Sequence, residues 1–151
     1  MKFRTLIGAA MLAFSATALA AAPASPDAQV EQAWIRWLPA KLPAAGYAII
    51  RNIGDEPLRL TGASSPDYGM VMLHHSRLAH GDSTMEMVEH MDIPAHGSVK
   101  LAPGGYHLML SQPTHAIKPG DKVKIVFKFA GGAELQTDFS VLPANASDPG
   151  D

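Results

Sequence analysis

Between Val30 and Leu142 the chain is cut into short apolar runs by glycine and proline, and that punctuation limits what it can fold into. Runs of strand length lie at Val30–Trp37, Gly46–Asn52, Leu58–Ala63, Tyr68–Ser76, Thr84–Met91, Ser98–Ala102, Tyr106–Leu110, Lys122–Phe129 and Glu134–Leu142. The breaks between them are Pro- or Gly-containing: Leu38–Ala45, Gly54-Asp55, Ser64-Ser65-Pro66-Asp67, Pro103-Gly104-Gly105 and Gly131-Gly132. No segment of helical length carries a 3.6-residue period with caps. Eight or nine short strands at this spacing predict an all-β sandwich or barrel. Length supports one domain, 30–142, preceded by a flexible leader at 21–29 and followed by a small, polar tail at 143–151 that reads as disordered.

The first twenty residues have the layout of an export signal: Lys2 and Arg4, an apolar stretch from Leu6 to Phe14, then Ala18-Leu19-Ala20 as a small-x-small cleavage site. The apolar run is too short and too alanine-rich for a spanning helix, so a cleaved signal peptide (1–20) and a periplasmic mature protein, not inserted in the membrane, are expected. Removing Lys2 and Arg4 leaves 10 basic against 14 acidic residues, a formal charge of −4. That balance argues against nucleic acid as a partner. The chain has no cysteine, which rules out disulfides, a thiol nucleophile, a lipidated N-terminal cysteine and a thiolate-ligated blue-copper centre.

Chemistry is concentrated in one window. Beyond the leader all six methionines (70, 72, 85, 87, 91 and 109) and six of the seven histidines (74, 75, 80, 90, 96 and 107) fall between Met70 and Met109. A core that only needed filling would use Leu, Ile and Val, which specify packing better than Met. Thioethers with imidazoles suit soft or borderline ions, above all Cu(I), whose d10 shell imposes no ligand-field geometry. Pairing Tyr68–Ser76 with Thr84–Met91 as a hairpin predicts His74 opposite Met85 and Met72 opposite Met87, at the Cβ spacing of about 4.5–5.5 Å typical of cross-strand neighbours. His107 and Met109, two apart on a strand, share a face. Together these pairs predict a His2Met2 metal site: His74, Met85, His107 and Met109. Neutral ligands hold copper less firmly than thiolates would, which suits a carrier.

This spacing resembles the PCuAC family of periplasmic copper chaperones, whose pattern is His, ten residues, Met, twenty-one residues, then His-x-Met. Similar stretches flank it: Ala33-Trp34, Gly46-Tyr47, Arg51-Asn52-Ile53-Gly54-Asp55, Gly62-Ala63-Ser64-Ser65-Pro66, Pro103-Gly104-Gly105-Tyr106-His107 and Pro119-Gly120-Asp121. The resemblance implies a cupredoxin-like β-sandwich that is not an enzyme. It further implies delivery of copper to a cuproprotein, such as the CuA centre of cytochrome c oxidase, or to another copper chaperone. The protein is read as a monomer. His75 stands where the family commonly has an acidic residue, and His80, His90 and His96 are extra, which leaves open a second site for Cu(II).

Other readings of the same residues stay open. Met72 and Met87 could fill the core or form a reserve thioether patch, and Met70 and Met91 fit structural or rim positions. His80 reads as a loop residue and His115 as a surface one. Trp34, Trp37, Tyr47 and Tyr106 fit core packing or packing around the site. A histidine-bound zinc or copper enzyme could draw on His74, His75, His90 and His107 with Glu86 or Glu89 as base, although no HExxH spacing occurs and Met is a poor zinc ligand. A metal-independent interaction module with a Met-rich surface is the third reading.

Overall fold

The computed structural model describes residues 25–39 and 41–150. The expected signal peptide lies outside them, as do the first four residues of the expected leader. The leader's last two residues, Ala28 and Gln29, already belong to the first strand.

Ten strands form: β1 (Ala28–Arg36), β2 (Ala44–Asn52), β3 (Leu58–Ser64), β4 (Tyr68–Ala79), β5 (Asp82–Met87), β6 (Met91–Ile93), β7 (Ser98–Leu101), β8 (Tyr106–Pro113), β9 (Lys122–Phe129) and β10 (Glu134–Leu142). They hydrogen-bond in the order β5-β4-β8-β7-β2-β1-β10-β9-β3-β6, with a further β8–β2 pairing. The described residues are thus all-β, and this long sheet folds over itself into the expected cupredoxin-like sandwich. Most pairs are antiparallel, while β1–β10 and β7–β8 run parallel.

Period-2 alternation builds the core. Along β9, Val123, Ile125, Phe127 and Phe129 point inward and are almost fully buried. They meet Phe139 and Val141 of β10, Leu60 of β3, Leu73 of β4, and Leu108 and Leu110 of β8 in one cluster. The rings of Phe127 and Phe139 lie 6.0 Å apart at 44°, within the tilted range that aromatic pairs favour. Burying a side chain of this size contributes about 1.5–3 kcal/mol. Gly46 of β2 lies opposite Leu108, and a Cβ there would meet Leu108 Cβ at 3.2 Å and Leu110 Cδ1 at 3.2 Å. Its missing side chain lets β2 and β8 close up.

Two expectations are corrected. The run Thr84–Met91 is not one strand: β5 ends at Met87, and Met91 pairs instead with Leu60 of β3. The chain crosses from one edge of the sheet to the other through Val88–His90, a change of partner that no Gly or Pro announces. The segment after Leu142 does not trail away either. Ala146 is only 4% exposed and packs with Trp34 and Tyr47 in a small second cluster. Its carbonyl accepts a hydrogen bond from Arg36 Nε at 3.1 Å.

Candidate metal centre

The core claims one face of β4 and β8, through Leu73, Leu108 and Leu110. Alternation therefore places Met70, Met72, His74 and Ser76 on the other face of β4, and His107 and Met109 on the same face of β8. The β4–β8 register sets His74 opposite His107 and Met72 opposite Met109. The two imidazoles meet edge-on, centroids 5.8 Å apart at 75°. β5 adds Met85 and Met87 from the edge of the sheet, 62% and 66% exposed.

The β4–β5 register differs from the expected one by two residues. His74 faces Met87, not Met85, and Met85 faces Ser76; Met72 lies beyond this ladder and pairs with Met109. The cause is the turn. Ala79 pairs with Asp82, leaving His80 (φ 53°) and Gly81 (φ 86°) as the two linking residues. A two-residue hairpin of this hand needs positive φ at both central positions, which Gly81 adopts freely and Ala79 would resist. Because the shift is even, Met85 and Met87 keep the expected face.

Met85, His107 and Met109 line one groove of about 630 Å³, with Tyr47 and Arg36 in its wall. His74 is placed beside it through its contact with His107. Tyr47 lies 6.5 Å from His107, and burial raises its hydroxyl pKa above the ordinary value despite the opposing pull of Arg36. The Arg36 guanidinium stands over both Trp34 and Tyr47, at 5.7 and 5.4 Å, the arrangement of a cation–π contact. Trp34 and Tyr47 therefore pack around the site, not in the main core. Arg36 reaches the groove wall through strand pairing: it lies opposite Ala45 of β2, which lies opposite Met109 of β8.

His107 is 6% exposed, and its Nδ1 lies 3.2 Å from the Gly105 carbonyl oxygen. A carbonyl only accepts, so Nδ1 carries a proton, and Nε2 is the nitrogen with a lone pair in the neutral ring. His74 Nδ1 is buried without a hydrogen-bond partner. Desolvation, and after it the nearness of His107, lowers the His74 pKa and favours the neutral ring. Imidazoles in their neutral form, beside thioethers, can donate lone pairs to a soft cation and have no negative charge to offer a hard one.

The extra histidines are dispersed. His75 stacks on Tyr106 at 4.2 Å and accepts from Arg77 Nε. His80 sits at the hairpin turn, and His96 pairs with Asp55 at 2.8 Å. His115 pairs with Asp67 at 3.0 Å, far along the chain from the cluster. Among the described residues no three His, Asp or Glu side chains are grouped to hold a metal, so the structure does not assemble a Cu(II) site from His75, His80, His90 and His96. Any centre here needs the thioethers. Met91 belongs to the main core, Met70 is 40% exposed, and neither Met72 nor Met87 is a core residue.

A β-sandwich that turns imidazoles and thioethers outward on one sheet face defines a class, the PCuAC-type domain, and solved structures of that class match it. The copper-bound PCuAC domain from PmoF2 has a TM-score of 0.65 at 25% identity, covering 80% of this chain and 96% of that one. The solution structure of CuI-DR1885 from Deinococcus radiodurans gives 0.60 at 28% identity, over 85% and 84%. The chain belongs to the LpqE-like family ("Putative lipoprotein LpqE-like"), which it matches over residues 28–141. Among curated proteins, "Putative lipoprotein Lxx21020" of Leifsonia xyli subsp. xyli (strain CTCB07) is 29% identical over 106 residues, 70% of this chain. The match spans 63% of that relative's length.

Proposed function

We propose that this protein is an exported copper chaperone, not an enzyme, that carries Cu(I) on His74, Met85, His107 and Met109 and passes it to a cuproprotein. The observation that carries this reading is the groove shared by Met85, His107 and Met109, with His74 in edge contact with His107. Copper-bound and Cu(I)-bound structures among the similar PCuAC domains support the choice of ion. An exposed site on an edge hairpin favours exchange, since an acceptor's ligands can displace Met85 before the buried His107 lets go. The acceptor would be the CuA subunit of cytochrome c oxidase, another cuproenzyme or a further chaperone.

Export is supported by the signal-like first twenty residues and by the lipoprotein names of the family and the curated relative. With no cysteine to carry a lipid, this chain would be released into the periplasm after cleavage. No helix among the described residues is long and apolar enough to cross a membrane.

The test is a competitive titration of Cu(I) against a chromogenic chelator, with Zn2+ in parallel. Wild type should bind one Cu(I) tightly and Zn2+ weakly. The double variant His107→Ala/Met109→Leu should lose tight binding yet keep its β-type circular dichroism spectrum. Unchanged Cu(I) affinity in that variant would refute the site, and a preference for Zn2+ would favour a hydrolytic centre instead.

A further inference from the structure

We propose that Met72 and Met87 form a second station for a soft monovalent cation, next to the four-donor site and separate from it. The inference rests on the reading that this sheet face binds such ions. A tetrahedral centre uses about four donors, and the face offers three thioethers beyond the four donors assigned, of which Met72 and Met87 share one hollow. Neither has a packing reason to be there: Met87 is 66% exposed on an edge strand, and Met72 is half-buried outside the core.

Their placement separates them from the first set. Met72 and Met87 both line a second hollow, of about 370 Å³, that reaches toward Glu89 and Lys128. Met85, His107 and Met109 line the groove instead. His74 stands between the two, opposite Met87 on one side and opposite His107 on the other. Each hollow thus holds two thioethers, and the imidazole between them has a buried Nδ1 without a partner. The second station lacks the buried His107, so it should hold its ion more weakly and face solvent more openly. An ion could step between the stations by exchanging thioethers across His74, with no thiol and no redox change involved.

The experiment uses Ag(I), a soft monovalent ion that does not oxidise in air, titrated into the mature protein carrying methyl-13C methionine. Wild type should take two equivalents, the second at least about tenfold weaker, a gap of about 1.4 kcal/mol. The Met72 and Met87 methyl resonances should move with the second equivalent. Met72→Leu/Met87→Leu, a near-isosteric change outside the core, should remove the second equivalent and leave the first unaltered. A single equivalent in wild type, a second that survives the Leu variant, or loss of the first in that variant would each overturn the second station. Failure of the primary reading looks different: His107→Ala/Met109→Leu would then keep the first equivalent at full affinity.

Discussion

His74 and Met87 face each other across the β4–β5 ladder, and the backbone of one glycine decides it. Gly81 sits at φ 86°, where an L side chain costs about 1–2 kcal/mol. In Gly81→Val the hairpin should lose its register, and the cross-strand nuclear Overhauser contacts between His74 and Met87 should disappear. Cu(I) affinity should fall several-fold while the melting temperature moves little, because β5 is exposed throughout. Retained contacts with unchanged affinity would mean that the turn does not set the donors.

Gly46→Ala should act from beneath the site. The new methyl would press on the Cβ of Leu108, a buried atom with no freedom to retreat. Overpacking of this kind costs about 1–3 kcal/mol. Chemical denaturation should show the loss, and the His107 and Met109 resonances should shift because they flank Leu108. A variant as stable as wild type would show that β2 and β8 can part without cost.

The Asp67–His115 pair should make stability depend on pH at both ends. The Asp67 carboxylate accepts from His115 and from the Lys124 backbone N–H, which holds its pKa below the ordinary value. The same hydrogen bond raises the His115 pKa. The Asp67 contribution is present above the ordinary carboxylate pKa and is lost as pH falls through the lowered one. The His115 contribution is present below the ordinary imidazole pKa and is lost as pH rises through the raised one. The pair therefore helps most between these limits, in mildly acidic solution. In Asp67→Asn the His115 titration followed by NMR should move down toward the ordinary value; an unmoved titration would show that the pair does not form in solution.

Ala146→Lys should lift the tail from β1 and β2. A second cation cannot stay buried between Trp34 and Tyr47 beside the Arg36 guanidinium, so the segment should swing out. In a Trp37→Phe background the Trp34 emission should shift to longer wavelength, with a loss of about 1–2 kcal/mol and an intact main core. Unshifted emission would argue that the tail does not cover Trp34.

Much of this was legible in the sequence. Lys122–Phe129 and Glu134–Leu142 have the expected bounds because strict alternation meets a Gly-Gly turn. The shared face of His107 and Met109 follows from period two alone. The expected hairpin register is off by two residues: a pairing of His74 with Met85 does not fit the Ala79–Asp82 turn, whose His80-Gly81 link sets His74 opposite Met87. Two features depend on partners remote in sequence. The end of β5 at Met87 is set by Met91 reaching β3, and Ala146 is buried by Trp34, more than a hundred positions upstream. A small residue in a polar tail says nothing of such a partner.

The donors face outward from a wall whose inner side holds the molecule together. His107 and Leu108 are chain neighbours, yet one lines the groove and the other the core. Ligands can therefore be exchanged, added or lost in evolution without first endangering the protein's existence. A lineage that had lost its metal would go on expressing and melting as before. Screens that score only abundance or heat resistance would pass such a chain as healthy.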